Sequence, residues 1–284
     1  VNSTGSLLRP QPEIDQEPRW PSASDWPRRV VWGASQILLF LALFQAYKMV
    51  RKTFITRAEQ VAYDNALDIL NIQGKLGLNF ELSWQRWVLD QGSLIKVFNN
   101  IYAYYMYGFY ACAILLLVMS PIRYRYLRRV FIISMVVALP WYALYPLAPP
   151  RFMDPYGWPF VDTLAVYGPN YFSESGLVTA NRFAAMPSMH CGWTMVAGLM
   201  ISAAMPWRWL GRSLFVFLTL LLAVTVMVTG NHYWLDIIGG WLVVAVSLAI
   251  NRLLPFPLPI ALPWRNQPEP ESSRLRQESA SGIQ

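Results

Sequence analysis

Charge is what this chain has least of. Of its 284 residues, 14% are Asp, Glu, Lys or Arg while 55% are hydrophobic. Soluble domains carry about 25% charge, so an ordinary soluble globule is excluded. Cysteine is almost missing: Cys112 and Cys191 both sit in apolar stretches, which leaves no disulfide framework and no zinc-ligand spacing. Both read as small apolar core residues. Residues 1–27 are polar and Pro-rich and hold no apolar core of a signal peptide. No internal repeat is evident. Carboxylates nowhere cluster into a home for magnesium, so metal-independent chemistry with no cofactor is expected. The net charge of +7 would raise nucleic acid as a partner in a soluble protein. Here the excess sits beside apolar runs, where membrane topology explains it and no nucleic acid is expected.

What the chain does have is long apolar runs. They fall at about 30–49, 98–119, 130–147, 189–205, 213–229 and 233–251, and a span needs roughly 20 such residues. The expected fold is an all-α integral membrane protein with six transmembrane helices, the third kinked at Pro140. Thirteen Trp and fifteen Tyr suit the aromatic belts of membrane interfaces. Residues 50–96 differ: charges return, and Ala62, Ala66, Ile69 and Leu70 recur at helical spacing. Trp84, Trp87, Val88 and Ile95 follow in a second amphipathic piece. The segment reads as amphipathic interfacial helices between the first and second spans, with a soluble helical hairpin as the alternative. The resulting layout is a polar tail over 1–27, the first span and interfacial helices over 28–96, a membrane core over 97–254 and a disordered tail over 255–284.

Orientation follows from basic residues. Arg123, Arg125, Arg128 and Arg129 in the short loop IRYRYLRR place that loop in the cytoplasm. Arg208, Arg212 and both termini then fall inside, while 148–188 and 229–232 fall outside. Arg51, Lys52, Arg57, Lys75 and Arg86 run against this assignment. The expected location is the plasma membrane, with the active site on the extracytoplasmic side.

Two histidines are all the chain contains, and both open apolar runs: His190 in AAMPSMHCGW and His232 in GNHYWLD. An imidazole in apolar surroundings is expensive, and two at matching depth exceed what packing requires. Asp236 follows His232 by four residues, which on a helix puts both on one face. Its carboxylate can accept the imidazole N–H, set the tautomer and stabilise the imidazolium. The bland alternative is a satisfied polar pair plugging a helix interface. Arg151, at the end of YPLAPPR, and Arg182, eight residues before His190, offer forked donors for phosphate oxygens; headgroup anchoring is the other use of Arg151. Ser188 and the amides after Pro187 open the fourth span, either as an anion site or as a plain helix cap. Together these groups suit in-line displacement at phosphorus. One His attacks, the other protonates the leaving oxygen, and the arginines hold the equatorial charge.

At these residues the chain resembles the type 2 phosphatidic acid phosphatase superfamily, whose motifs are KxxxxxxRP, PSGH and SRxxxxxHxxxD. PSMH at 187–190 matches the second motif, His232 and Asp236 match the HxxxD of the third, and PPR ending at Arg151 is similar to a degenerate first. The first-motif Lys falls at Leu144 and the third-motif Arg at Val226, so two cations are replaced; Arg182 is a candidate substitute for one. PSxH followed by HYxxD is more similar to the inositol phosphorylceramide synthase branch. The resemblance covers roughly 97–251. It implies that His232 carries a phospho-intermediate, Asp236 orients it, and His190 is acid and then base.

The expected function is transfer of a phosphate-linked headgroup such as phosphoinositol from a lipid phosphate substrate to a lipid or sugar hydroxyl acceptor. The first alternative is a phosphatase acting on a polyprenyl phosphate, phosphatidate or related lipid. The long aromatic segment 152–181 favours transfer, because it can exclude water or hold an acceptor. A non-enzymatic lipid transporter is the remaining alternative, opposed by the paired histidines and by the lack of a visible inverted repeat.

Overall fold

The computed structural model describes residues 26–54, 59–169 and 182–254, the side chains of 28, 29 and 51–54 excepted. The expected tails, apart from Trp26 and Pro27, and the 170–181 part of the aromatic segment lie outside the described residues. The described residues form helices and no strand; a lone parallel bridge joins Leu147 to Ala184.

The apolar runs become α1 (Trp26–Phe54), α4 (Leu94–Met119), α5 (Pro121–Leu144), α7 (Met189–Ala204), α8 (Arg208–Val228) and α9 (Trp234–Leu253). Between α1 and α4 lie α2 (Glu59–Lys75) and α3 (Glu81–Asp90), and a short α6 (Thr163–Tyr167) precedes α7. Among the described residues five helices are long and apolar enough to cross a membrane, which makes this a multi-pass membrane protein; the apolar α7 is shorter, at 16 residues.

The largest boundary difference from expectation is at the start of α5. IRYRYLRR is not a loop but the first turns of α5, which starts at Pro121, a residue suited to the first helical position. The arginines are accommodated by long-range partners. Arg128 bonds the Gln36 side chain of α1, Arg129 bonds the side chain and carbonyl of Asn251 in α9, and Arg123 donates to the Ala203 carbonyl at 2.9 Å. These contacts gather the start of α5 with the ends of α7 and α9.

α7 is the central helix, packed against α4, α5, α8 and α9. Small residues let it approach its neighbours closely, as apolar burial alone does not drive helices together in lipid. A Cβ on Gly192 would stand 2.9 Å from the Gly240 carbonyl of α9. Trp193 Nε1 donates to Ser134 Oγ of α5 at 3.2 Å. Stacked rings of Phe40, Phe109 and Phe131, with Trp193 against Phe131 and Tyr47, join α1 to the bundle.

The α2–α3 hairpin covers the other end. Ala62, Ala66, Ile69 and Leu70, the positions picked out by periodicity, are all buried. They cluster with Leu147, Ala148, Met153 and Phe160 of the connection that follows α5. In α3, Val88 is buried while Trp84 and Trp87 are exposed.

Candidate active site

The site begins where α8 stops. Gly230 has φ 69°; its N–H donates to the Met227 carbonyl and the Asn231 N–H to the Val226 carbonyl, both at 2.9 Å. This paired stop needs a left-handed residue. A side chain there would be strained and would stand 2.9 Å from Gln85 Nε2. The turn delivers Asn231, His232 and Tyr233 into α9.

His232 therefore lies two residues ahead of α9, and the expectation that it shares a helical face with Asp236 is corrected. Tyr233 is extended as the N-cap, and Asp236 in the first turn folds back over the helix start. One oxygen, Asp236 Oδ2, accepts the Tyr233 N–H at 3.0 Å and stands 3.3 Å from His232 Nδ1. The carboxylate is fully buried, at the helix end where negative charge is favoured.

The second imidazole arrives from α7. His190 Nδ1 stands 3.2 Å from His232 Nε2. With the His232 Nδ1–H donated to Asp236, Nε2 holds a lone pair, and the His190 Nδ1–H is the donor between the rings. The His190 ring is held between Tyr102, stacked at 4.7 Å, and Tyr105, tilted at 4.8 Å, both from α4. Ser188 caps α7 through a 3.5 Å contact from Cys191 N–H, and its own N–H donates to the Asp236 carbonyl at 2.8 Å. It is fully buried and ties the start of α7 to the start of α9.

Arg151 comes from a short 3-10 turn, Pro150–Phe152. Its N–H donates to the Gly230 carbonyl at 2.8 Å, its guanidinium bonds Asn231 Oδ1, and its Nε is 3.6 Å from Asp162 Oδ2. Backbone and side chain are thus both fastened to the two residues before His232. Burial pushes the guanidinium down from its ordinary value, the charge of Arg182 adds to this, and Tyr102 and Asp162 oppose it. Tyr102 thus faces both His190 and Arg151. Arg182 itself is exposed at the margin of this region, where its charge also acts on Tyr63. Leu144, at the position of the absent lysine, is 82% exposed, and Val226, at that of the absent arginine, is fully buried.

Tyr102, Tyr105, Asn231 and Asp162 were not singled out by sequence reasoning. Adjacency to His232 was a usable signal for Asn231; the tyrosines are hidden among the many of α4. Among the described residues no group of three or more His, Cys, Asp or Glu is arranged to hold a metal ion.

Two imidazoles in line, a buried carboxylate behind one and a buried arginine beside it form a nucleophile and proton-relay arrangement suited to acyl or phosphoryl centres. The sequence signature of the PAP2 superfamily matches residues 67–250, and the chain belongs to that superfamily. A 122-residue stretch, 42% of the chain, is 29% identical to the inositol phosphorylceramide synthase catalytic subunit aur1 of Schizosaccharomyces pombe. That match covers 28% of the aur1 protein's length. No solved structure matches the chain.

Proposed function

We propose that this protein is a lipid phosphotransferase that moves a phosphate-linked headgroup, such as phosphoinositol, from a phospholipid to a hydroxyl acceptor through a phosphohistidine on His232. The observation that carries the reading is the continuous relay from Asp236 Oδ2 through His232 to His190, with contacts of 3.3 and 3.2 Å. His232 Nε2 attacks phosphorus, and the leaving oxygen takes the proton from His190. His190, now basic, accepts the proton of the acceptor hydroxyl, whose oxygen displaces His232 from phosphorus. Asp236 balances the positive imidazole throughout, while Arg151 and the amides after Ser188 hold the equatorial oxygens, with Arg182 at the entrance. Phosphorus has to enter between the rings. A near-attack reach of about 3 Å, the P–O bond, and a hydrogen bond of about 2.8 Å bent at the leaving oxygen together require the two nitrogens to part to at least roughly 6 Å.

The similarity to an inositol phosphorylceramide synthase supports transfer over hydrolysis. In the membrane, α7 is the fourth and shortest of six spans, the core runs over 97–254, and the α2–α3 hairpin lies at the interface with Trp84 and Trp87 toward lipid. The arginine-rich start of α5 lies at the bundle end opposite the relay, because its partners are at the far ends of α7 and α9. The positive-inside rule then puts the site on the extracytoplasmic side of the plasma membrane.

The test is incubation of the purified protein with phosphatidylinositol, phosphatidate and a polyprenyl phosphate, with and without ceramide or a sugar alcohol, and with excess EDTA. A new lipid that forms in EDTA is the expected result. Free phosphate in place of a new lipid reassigns the protein as a phosphatase, and turnover that chelation abolishes and a divalent ion restores refutes the His–His mechanism.

A further inference from the structure

Three buried side chains of α3 point the same way: Glu81, Gln85 and Val88. Two of them are polar, one turn apart, and each grips a different half of the site. Glu81, 1% exposed, receives the Trp234 N–H, the first amide of α9, at 3.1 Å, and the Gln73 side chain at 2.6 Å. Trp234 is held a second time, its indole N–H donating to the Leu78 carbonyl at 3.0 Å. Trp234 is two residues from both His232 and Asp236, so its position sets theirs.

Gln85 holds the connection that carries Arg151. Its Nε2 donates to the Val161 carbonyl at 3.0 Å and its Oε1 accepts the Val161 N–H at 2.8 Å. Val161 adjoins Asp162, the ion-pair partner of Arg151. The Gln85 amide also lies against the Gly230 turn. Farther along, the Asn65 side chain donates to the Pro146 carbonyl at 2.7 Å and the Ala148 N–H to the Ala62 carbonyl at 3.0 Å, so α2 secures the other end of the same connection.

We propose that Glu81 and Gln85 are positioning residues: one rigid turn of α3 sets the spacing between the His232–Asp236 nucleophile and the Arg151 phosphate clamp. This rests on the phosphotransfer reading above and adds a task for the α2–α3 hairpin. A helix is stiff over one turn, so two bonds made from it fix two segments against each other. It adds to the Gly230–Asn231 turn and to the packing of Tyr233 with Met153 and Phe160 as a link between the α9 start and the Arg151 connection. Burial raises the Glu81 carboxyl above its ordinary range; its bonds from Trp234 and Gln73 oppose this and the Asp236 charge adds to it, which places Glu81 within electrostatic reach of the relay.

The test uses the full chain in detergent micelles, with phosphatidylinositol plus ceramide and with phosphatidate alone as probes. Glu81→Ala is expected to lower kcat roughly 100-fold with KM changed less than about threefold, the scale of a misplacement near 1 Å. Gln85→Ala is expected to act through Arg151 and raise KM roughly tenfold, a second-sphere effect. Glu81→Gln keeps an acceptor for the Trp234 N–H and is expected to retain kcat within about threefold, since the bond's geometry and not the charge is at stake. Amide hydrogen exchange supplies a readout independent of turnover: it should quicken over 231–236 in Glu81→Ala and over 151–163 in Gln85→Ala. Folded alanine variants with native kcat, KM and exchange overturn the proposal, as does a Glu81→Gln variant as slow as Glu81→Ala. If Glu81→Ala does not fold, Glu81→Asp withdraws the acceptor by one methylene, and native turnover in that variant overturns it equally. Should the native protein act on neither probe, the functional reading falls, and exchange alone then decides whether α3 braces the two segments.

Discussion

Replacing Asp236 by Asn separates two jobs that a carboxylate behind a histidine can do. In a serine-protease triad the same change leaves the wrong tautomer and lowers kcat by about 10⁴. Here the backbone intervenes. The oxygen facing His232 also accepts the Tyr233 N–H at 3.0 Å, and that donor cannot turn away. An amide NH₂ in its place would set donor against donor, so Asn has to keep its oxygen there and put its nitrogen at the Oδ1 position. His232 retains its acceptor and its tautomer, and what disappears is the negative charge. One charge pair at about 4 Å and an effective dielectric near 20 is worth about 4 kcal/mol. At about 1.4 kcal/mol per decade this slows formation of the phosphoimidazolium by roughly 10³. Asp236→Ala removes the acceptor as well and should be slower still. The assay is headgroup transfer from radiolabelled phosphatidylinositol, with the acid-labile phosphohistidine trapped by rapid quench. Equal rates for Asn and Ala would refute the pinned-oxygen argument, and an Asn variant above about a tenth of native rate would remove Asp236 from the relay altogether.

Other substitutions probe the remaining groups. His232→Ala should abolish both turnover and covalent labelling; label on that variant moves the nucleophile elsewhere. His190→Ala should lose about 10²–10⁴ in turnover of a phospholipid yet still be labelled by a nitrophenyl phosphate ester, whose leaving group needs no proton; absence of that label would show that His190 does more than move protons. Arg151→Lys keeps the charge but loses the fork that meets Asn231 and Asp162, so KM should rise roughly tenfold, about 1.4 kcal/mol, as read from initial rates. Gly230→Ala forces a side chain onto a φ of 69°, and should lower the melting temperature in detergent by an amount matching about 1 kcal/mol or more, together with kcat.

The apolar runs located the apolar helices to within a few residues wherever hydrophobicity alone marks an end, as at Met119, Met189 and Trp234. They failed at α5, because arginines read as a loop until their partners are known, and Gln36 and Asn251 are 92 and 122 residues away. The histidines and Asp236 were legible because such groups are rare in apolar sequence. Their geometry was not: His232 reaches Asp236 through a helix start, and nothing in HYWLD shows where that helix begins. The rings of Tyr102 and Tyr105 on His190, and the grip of Glu81 on Trp234, exist only once α4 and the hairpin have docked.

If α7 is the span proposed above, its shortness has a consequence for depth. Its 16 residues extend about 24 Å at about 1.5 Å per residue, against a hydrocarbon layer of about 30 Å. Neighbours on several sides shelter the helix, so the shortfall need not draw lipid inward. Measured from the arginine-rich end, the helix runs out about 6 Å before the opposite surface. The imidazole on its first turn is sunk below the headgroup plane, a short step inside the level where a phosphate joins its glycerol or isoprenoid. A membrane lipid can present that ester bond while its chains stay in the leaflet, whereas a water-soluble phosphate ester has to descend to it. In the proposed transfer reaction, selectivity for lipids then comes from how far down the chemistry takes place.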